Sequence, residues 1–390
     1  MQLKEVNDRS SAKSFLEINA TLNRFNPAYI RSLDNEVNEV FDAVKNKYYK
    51  YGNAKRWILM NATGETIGRI AAFTNKKYIN KGTDFVVGGV GFFDSINDQL
   101  AANQLFDVAK DWLKENGCEA MDGPINFGDR DKWWGLLVEG FEREPMYGMS
   151  FNPSYYEQLF ENYGFKNYYN QYYYAIKVDD PFPERFAERH AKIKSKGGYI
   201  AKHININDLA KHAKDFATVY NAAWAQHGEA KEITEEQVLK MFNKMKAIMD
   251  PRLLWFAYYK DEPIAMFINI PDLNQYFKYF NGKFGWYEKL QLLWMKWRGS
   301  NKRLTGLAFG VVPKYQALGI DSFMIHECAL LVQGKGWYTQ YEMGWAGDWN
   351  PKMINIYKSL GGKQSRRMIT FRYLFDQHKD FERHPEMDYK

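Results

Sequence analysis

The sequence predicts an α/β fold of two tandem units, each a mixed twisted β-sheet flanked by α-helices. Three observations carry that expectation. A chain of 390 residues exceeds what one ordinary hydrophobic core organises, so two units is the natural division. Apolar residues make up 45% and aromatics 17% of it, enough to pack two cores and too much for a disordered chain. One order of elements also occurs twice: helices, a hairpin, a central strand, a long helix, a strand, a short helix closed by glycine, and a final strand.

In the first unit, apolar residues at three-to-four spacing predict helices over 10–22 and 34–48, with Asn26 and Pro27 marking the turn between them. Residues 55–73 read as a hairpin about the turn 61–65, and 84–93 as a glycine-rich strand. An amphipathic helix over 97–116 ends at Gly117. A short strand, 120–122, opens the loop 123–135, a helix over 154–163 stops at Gly164, and 170–178 is a strand. Two prolines at 181–183 break the periodicity. The expected division is therefore an N-terminal unit over 1–180, a basic linker helix over 181–198 and a C-terminal unit over 199–390.

The second unit repeats the order. Helices fall within 206–249, a hairpin over 253–270, the central strand over 304–312, and a helix from Ser322 to about 333–335. A strand over 338–345, a helix over 350–360 and a strand over 369–375 complete it. The turn between the central strand and its helix, Gln316 to Asp321, would aim backbone N–H groups outward from the positive end of the helix dipole, an arrangement that suits a phosphate.

These residues carry a resemblance to the GNAT acyltransferases. Gln316 and Gly319 match the family's pyrophosphate-gripping turn of the form Gln/Arg-x-x-Gly-x-Gly/Ala, and Asp321 departs from it where a small residue is usual. Asn350, Tyr357 and Gly361 resemble its second motif. The resemblance implies two tandem GNAT-like domains, with acetyl-CoA or a longer acyl-CoA as co-substrate of the second. It implies cofactor contacts from Val311, Gln316, Ala317, Leu318, Gly319, Ile320, Asp321 and Asn350. Tyr357 would be the acid for the departing thiolate and Glu342 the base for the amine. The first unit's equivalent turn, near Asp94 to Asp98, lacks glycine and cation and reads as degenerate.

Other constellations qualify that reading. The loop 122–135 is rich in Gly, Asp and Trp, and Asn126, Asp129, Arg130, Trp133 and Trp134 are candidates for acceptor recognition. Residues 276–303 hold seven Lys or Arg against one Glu, a net +6 equal to that of the whole chain, interleaved with aromatics. This segment suggests a peripheral membrane contact or a lid over a long acyl chain, and with it a lipid-like donor or acceptor; the expected partner is a small-molecule or lipid-like acceptor. No nucleic-acid module accompanies it, so a nucleic-acid partner is not expected. No metal site is expected, since none of the seven His falls in a metal-binding spacing, and no Gly-x-Ser-x-Gly elbow is present. Cys118 and Cys328 read as buried small hydrophobes. A start without a signal-like apolar core and the lack of a membrane-length apolar window suggest a cytoplasmic protein. Two further readings stay open here: a non-catalytic binding protein of the same fold, and a Fem-like transferase using aminoacyl-tRNA.

Overall fold

The structure, a computed structural model, describes residues 1–78, 84–224 and 232–387. Its first half runs β1 (Gln2–Glu5), α1 (Arg9–Asn23), α2 (Asp34–Val40), β2 (Ala54–Met60), β3 (Thr66–Phe73), β4 (Val87–Ser95), α3 (Gln99–Glu115), β5 (Ala120–Gly123), β6 (Leu136–Glu139), α4 (Tyr156–Tyr163) and β7 (Lys166–Lys177). Helix α5 (Glu184–Ser195) bridges to the second half. There follow β8 (Tyr199–His203), α6 (Leu209–Trp224), α7 (Glu235–Met245), β9 (Leu254–Tyr259), β10 (Glu262–Pro271), α8 (Asn274–Phe277) and α9 (Trp286–Trp297). The chain ends with β11 (Arg303–Val311), α10 (Ile320–Val332), β12 (Gln340–Glu342), β13 (Ala346–Gly347), α11 (Pro351–Ser359) and β14 (Lys363–Leu374).

Local chemistry sets the helix ends. Asp8 and Ser11 cap α1 reciprocally, and Asp98 accepts from the Leu100 amide at the start of α3. Gly164, at φ +108°, turns α4 off in a left-handed cap that a side chain would resist. Asn350 caps α11 through the Met353 amide, and Pro351 occupies the first helical position, as the sequence suggested. The helix expected over 34–48 instead stops at Val40, and a 3₁₀ turn, Lys47–Lys50, follows. Helix α10 starts two residues earlier than expected, at Ile320, because Gly319 at φ +89° is its N-cap.

Among the described residues one mixed sheet runs through both halves, in the order β1-β2-β3-β4-β5-β14-β7-β12-β11-β10-β9-β8. The last strand, β14, lies between β5 and β7 and pairs antiparallel with both. Strand β7 in turn pairs with β12. The C-terminal strand thus completes the first half, while β7 carries the sheet into the second. Buried ion pairs pin the crossing. Arg372 on β14 binds Asp122 on β5 through two hydrogen bonds of 2.6 and 2.8 Å, and Arg366 on β14 reaches Glu342 on β12 at 2.9 Å. Two partners explain why β14 begins at Lys363, six residues before the expected strand. Strand β12 ends at Glu342 because the next amide, Met343, donates to the Tyr174 carbonyl of β7 at 2.8 Å.

Helices α3 and α4 press an aromatic cluster onto the first half of the sheet, including Phe93 stacked on Phe106 at 4.5 Å. In the second half α6, α7 and α10 bury residues such as Phe216, Phe242, Met324 and Ile325 against β9 and β10.

Candidate functional site

Among the described residues each half contains one parallel strand pair, and both pairs are three residues long. In the first, Val87 to Gly89 face Ala120 to Asp122; in the second, Arg303 to Thr305 face Gln340 to Glu342. Beyond those residues the strands diverge, and the two halves then differ. In the first half the chain closes the gap at once: the Ile125 amide donates to the Val90 carbonyl at 2.8 Å. The fit is so close that a Cβ at Gly91 would sit 1.9 Å from the Ile125 carbonyl oxygen. In the second half residues 343–347 turn to β7, and among the described residues no strand pairs with β11 on that side past Thr305. The backbone edge from Gly306 to Gly310 therefore keeps N–H and C=O groups that an extended ligand could pair with.

Glycines keep this gap open. A Cβ at Gly306 would lie 2.9 Å from the Tyr341 hydroxyl, and one at Gly344 would lie 3.9 Å from the Tyr357 hydroxyl. Both phenols thus converge where the strands part. Burial pushes their ionisation upward, so both are neutral and can donate at neutral pH. Asn269 joins them from β10, at a bulge in the register opposite Gly306. Its amide nitrogen donates to the Leu253 carbonyl at 3.2 Å, while its buried Oδ1 has no hydrogen-bond partner. An apolar pocket continues from here beneath α10. Its walls include Tyr341, Asn269, Leu304, Phe267, Ile325 and Cys328. Burial raises the Cys328 thiol to about 12, so it lines the pocket as an uncharged group.

The turn after β11 has the shape of an anion cradle. Ala317 takes φ +60° and Gly319 φ +89°, and a left-handed backbone at a non-glycine residue is a local strain that the fold holds in place. Gln316 folds back to donate to the Val311 carbonyl at 3.1 Å. Gln316, Ala317 and Leu318 are exposed, and Ile320, Asp321 and Ser322 form the first turn of α10, whose amides point out of the helix end. Helix α5 supplies a cation here. The Arg189 stem passes 3.5–3.7 Å from where a Gly319 Cβ would be, and its guanidinium reaches the Ser322 hydroxyl at 3.4 Å. That charge sits at the rim of the turn. Lys314, by contrast, leans on Glu262 at 3.6 Å.

The remaining expected residues lie elsewhere. Glu342 faces away from Tyr341, is almost fully buried, and accepts from Arg366, from the Ser365 hydroxyl at 3.0 Å and from Arg143 at 3.5 Å. Its oxygens are occupied by that network. Asn126, Asp129, Arg130, Trp133 and Trp134 stay in the first half, and none of them lines the apolar pocket. Trp133 donates to Ser32 and Trp134 to the Tyr169 hydroxyl, Arg130 covers the Trp134 ring, and Asp129 accepts from Tyr48 and Lys47. Trp133 walls a separate cavity with Arg69 and Asp94. There Arg69, Asn19 and Tyr156 already satisfy the Asp94 carboxylate at 2.6, 2.9 and 3.0 Å.

Sequence reasoning missed Tyr341, Asn269 and Arg189. A Tyr adjacent to the singled-out Glu342, and the basic character of the linker helix, were the available signals. Nothing in the sequence marks the bulge that turns Asn269 inward.

Among the described residues no cluster of His, Cys, Asp or Glu could hold a metal ion, and no helix is long and apolar enough to cross a membrane. No family model matches the chain. It is 25% identical over 365 residues to a bacterial ceramide synthase of Caulobacter vibrioides, covering 92% of this chain and 93% of that one. It is 24% identical over 369 residues to protein YghO of Escherichia coli, covering 92% of each. Among solved structures, a tandem GNAT protein from the clavulanic acid biosynthesis pathway aligns with a TM-score of 0.55 at 8% identity, over 97% of this chain and all of that one. A GCN5-related glucosamine N-acetyltransferase region of a fungal β-N-acetylglucosaminidase aligns with a TM-score of 0.56 at 12% identity, over 95% of this chain but 38% of that multidomain one. The architecture is that of a tandem GNAT-like fold, as the sequence suggested.

Proposed function

We propose that the protein is an N-acyltransferase that moves an acyl group from coenzyme A to the amine of a lipid-like acceptor, with the reaction in the second half. The observation that carries this reading is the open gap between β11 and β12. It offers an unpaired backbone edge, two neutral phenols and an apolar pocket in one place. The turn from Gln316 to Asp321, with Arg189 beside it, would hold the pyrophosphate, and the β11 edge would pair with the amide-bearing pantetheine arm. Asn350 is committed as a helix cap, its side-chain oxygen accepting from the Met353 amide, and in this scheme it borders the arm while keeping that bond. A pocket walled by Phe267, Leu304 and Ile325 suits a chain longer than acetyl. The relative from Caulobacter vibrioides, a ceramide synthase by name, supports a lipid-like amine as acceptor.

In the reaction the amine nitrogen forms a bond to the acyl carbon and the carbon–sulfur bond breaks. A β11 amide in the stretch 307–311 would polarise the carbonyl. Tyr357 would give its proton, or a strong hydrogen bond, to the departing sulfur. The amine's proton leaves to water through the open gap. Glu342 acts indirectly, fixing β12 against β14 through Arg366. The first half, whose own gap is closed, shapes the approach of the acceptor, with the loop 122–135 as its candidate contact.

Coenzyme A binding tests the reading. Added coenzyme A should raise the melting temperature of the wild type, and Gly319→Trp should abolish the rise because its side chain fills the cradle against Arg189. A coenzyme A response equal in both proteins would remove the phosphate assignment. No response in the wild type would leave a non-catalytic binding protein as the better reading.

A further inference from the structure

One helix of this protein wears its apolar face outward. Helix α9 buries only Leu292 and Met295, which dock it onto Leu273, Tyr276, Phe277 and Phe280. On the other side stand Trp286, Tyr287, Leu290, Leu293, Trp294 and Trp297, between 54% and 83% exposed. At roughly 100° per residue these six side chains share an arc of about 120°, opposite the docked pair. Over twelve residues the stripe is about 17 Å long. Isolated exposed apolar residues need no explanation, but a continuous stripe of six is a binding surface.

Charge decides what it binds. The same rotation sets Lys289 and Lys296 along one flank of the stripe and Arg298 along the other, with exposed Lys283 and Lys302 beyond the two ends of the helix. Glu288, the single acid of the helix, is turned inward to cap the Gly285 amide at 2.7 Å. The other two cations of the segment are spent inside the fold, Lys278 on Glu144 and Arg303 on Asp272. What remains outside is Trp, Tyr and Leu bordered by cations, of which Lys296 and Lys302 are tethered to the Ala247 and Gly336 carbonyls at 2.6 and 2.7 Å while Lys283, Lys289 and Arg298 are exposed at the flanks and the start of the helix. We infer that α9 is an interfacial helix that seats the protein on an anionic bilayer, with its stripe at the acyl boundary and its flanking cations among the headgroups.

Position links this surface to the pocket. The segment bearing α9 leaves the sheet at Pro271, two residues after Asn269, and returns at Arg303, one residue before Leu304. Asn269 and Leu304 both wall the apolar pocket. A bilayer held by α9 therefore lies at the end of the sheet from which that pocket is built. The inference stands on the helix itself and does not require the transferase reading, although a lipid-like acceptor would be drawn from such a surface.

Flotation of the full-length protein with vesicles tests it. The protein should rise with vesicles of phosphatidylcholine containing about one-third phosphatidylglycerol, and less with phosphatidylcholine alone, since each flanking cation adds its own attraction to anionic lipid. W286S, L290S, W294S and W297S together should lower the bound fraction at least about tenfold, by removing the buried apolar area. K283E, K289E and R298E together should remove the preference for anionic vesicles. All seven side chains are exposed, so both variants should keep the wild-type melting temperature and any coenzyme A response. That second readout separates failure of the membrane surface from failure of the acyl site. Wild type left at the bottom of the gradient, or a serine variant that floats as well as the wild type, overturns the inference. So does a wild-type dimer that the serine substitutions dissociate, because a second copy would then be the occupant.

Discussion

At the residue scale, Tyr357 and Glu342 make opposite cases from similar expectations. Both were legible as polar residues on elements flanking the gap. Only geometry separates them. Tyr357 is buried without a charged neighbour, and its phenol stays protonated through neutral and mildly alkaline pH because burial disfavours the phenolate. Its raised ionisation means that the neutral donor persists up to and beyond the ordinary tyrosine range near pH 10 and is lost only above it. Tyr357→Phe is expected to lower kcat on the order of 10²-fold with little change in KM, and the wild-type rate should not fall between pH 8 and about 10 from this group. Full turnover by the phenylalanine variant would remove Tyr357 from the reaction.

Glu342 sits in a buried network whose worth is structural. Removing its charge strands the Arg366 guanidinium, itself almost fully buried, without its counter-ion. Glu342→Gln should therefore cost about 3 kcal/mol of stability in urea denaturation, the penalty typical of a broken buried pair. A free base would behave in the contrary way, losing turnover with stability untouched. Sequence alternation did place Glu342 on the face opposite Tyr341. It did not show that Arg366, from a strand distant in sequence, would occupy that face.

At the scale of elements, glycine stops, proline breaks and three-to-four periodicity were enough to read most helices and hairpins. The elements that escaped are short or depend on a partner. Strands β6 and β8 are four and five residues long and carry no alternation strong enough to stand out. The early end of β12 follows from a bond between the Met343 amide and β7, a tertiary contact that local pattern does not encode. The turn after β11 was readable from Gln316 and Gly319, whereas the left-handed Ala317 was not, since alanine carries no signal for φ +60°. Helix α9 was visible as an aromatic, basic segment. Which of its faces is free is decided by Leu292 and Met295, and only packing reveals it.

For the whole molecule, duplication was legible and exchange was not. The repeated order of elements pointed to two similar units, and a continuous sheet contains both. What pattern reading could not supply is that β14 crosses into the first half while β7 reaches into the second. The consequence for function is an asymmetry between the halves. Ile125 closes the first gap, and the exchange draws residues 343–347 toward β7, leaving the second gap open. On the proposed reading this leaves one acyl-carrier site per chain, in the second half. Native mass spectrometry of the purified protein with a long-chain acyl-CoA measures this directly. The account predicts a single thioester bound per chain in the wild type and none in Gly319→Trp. Two bound molecules, or one that survives Gly319→Trp, would contradict it.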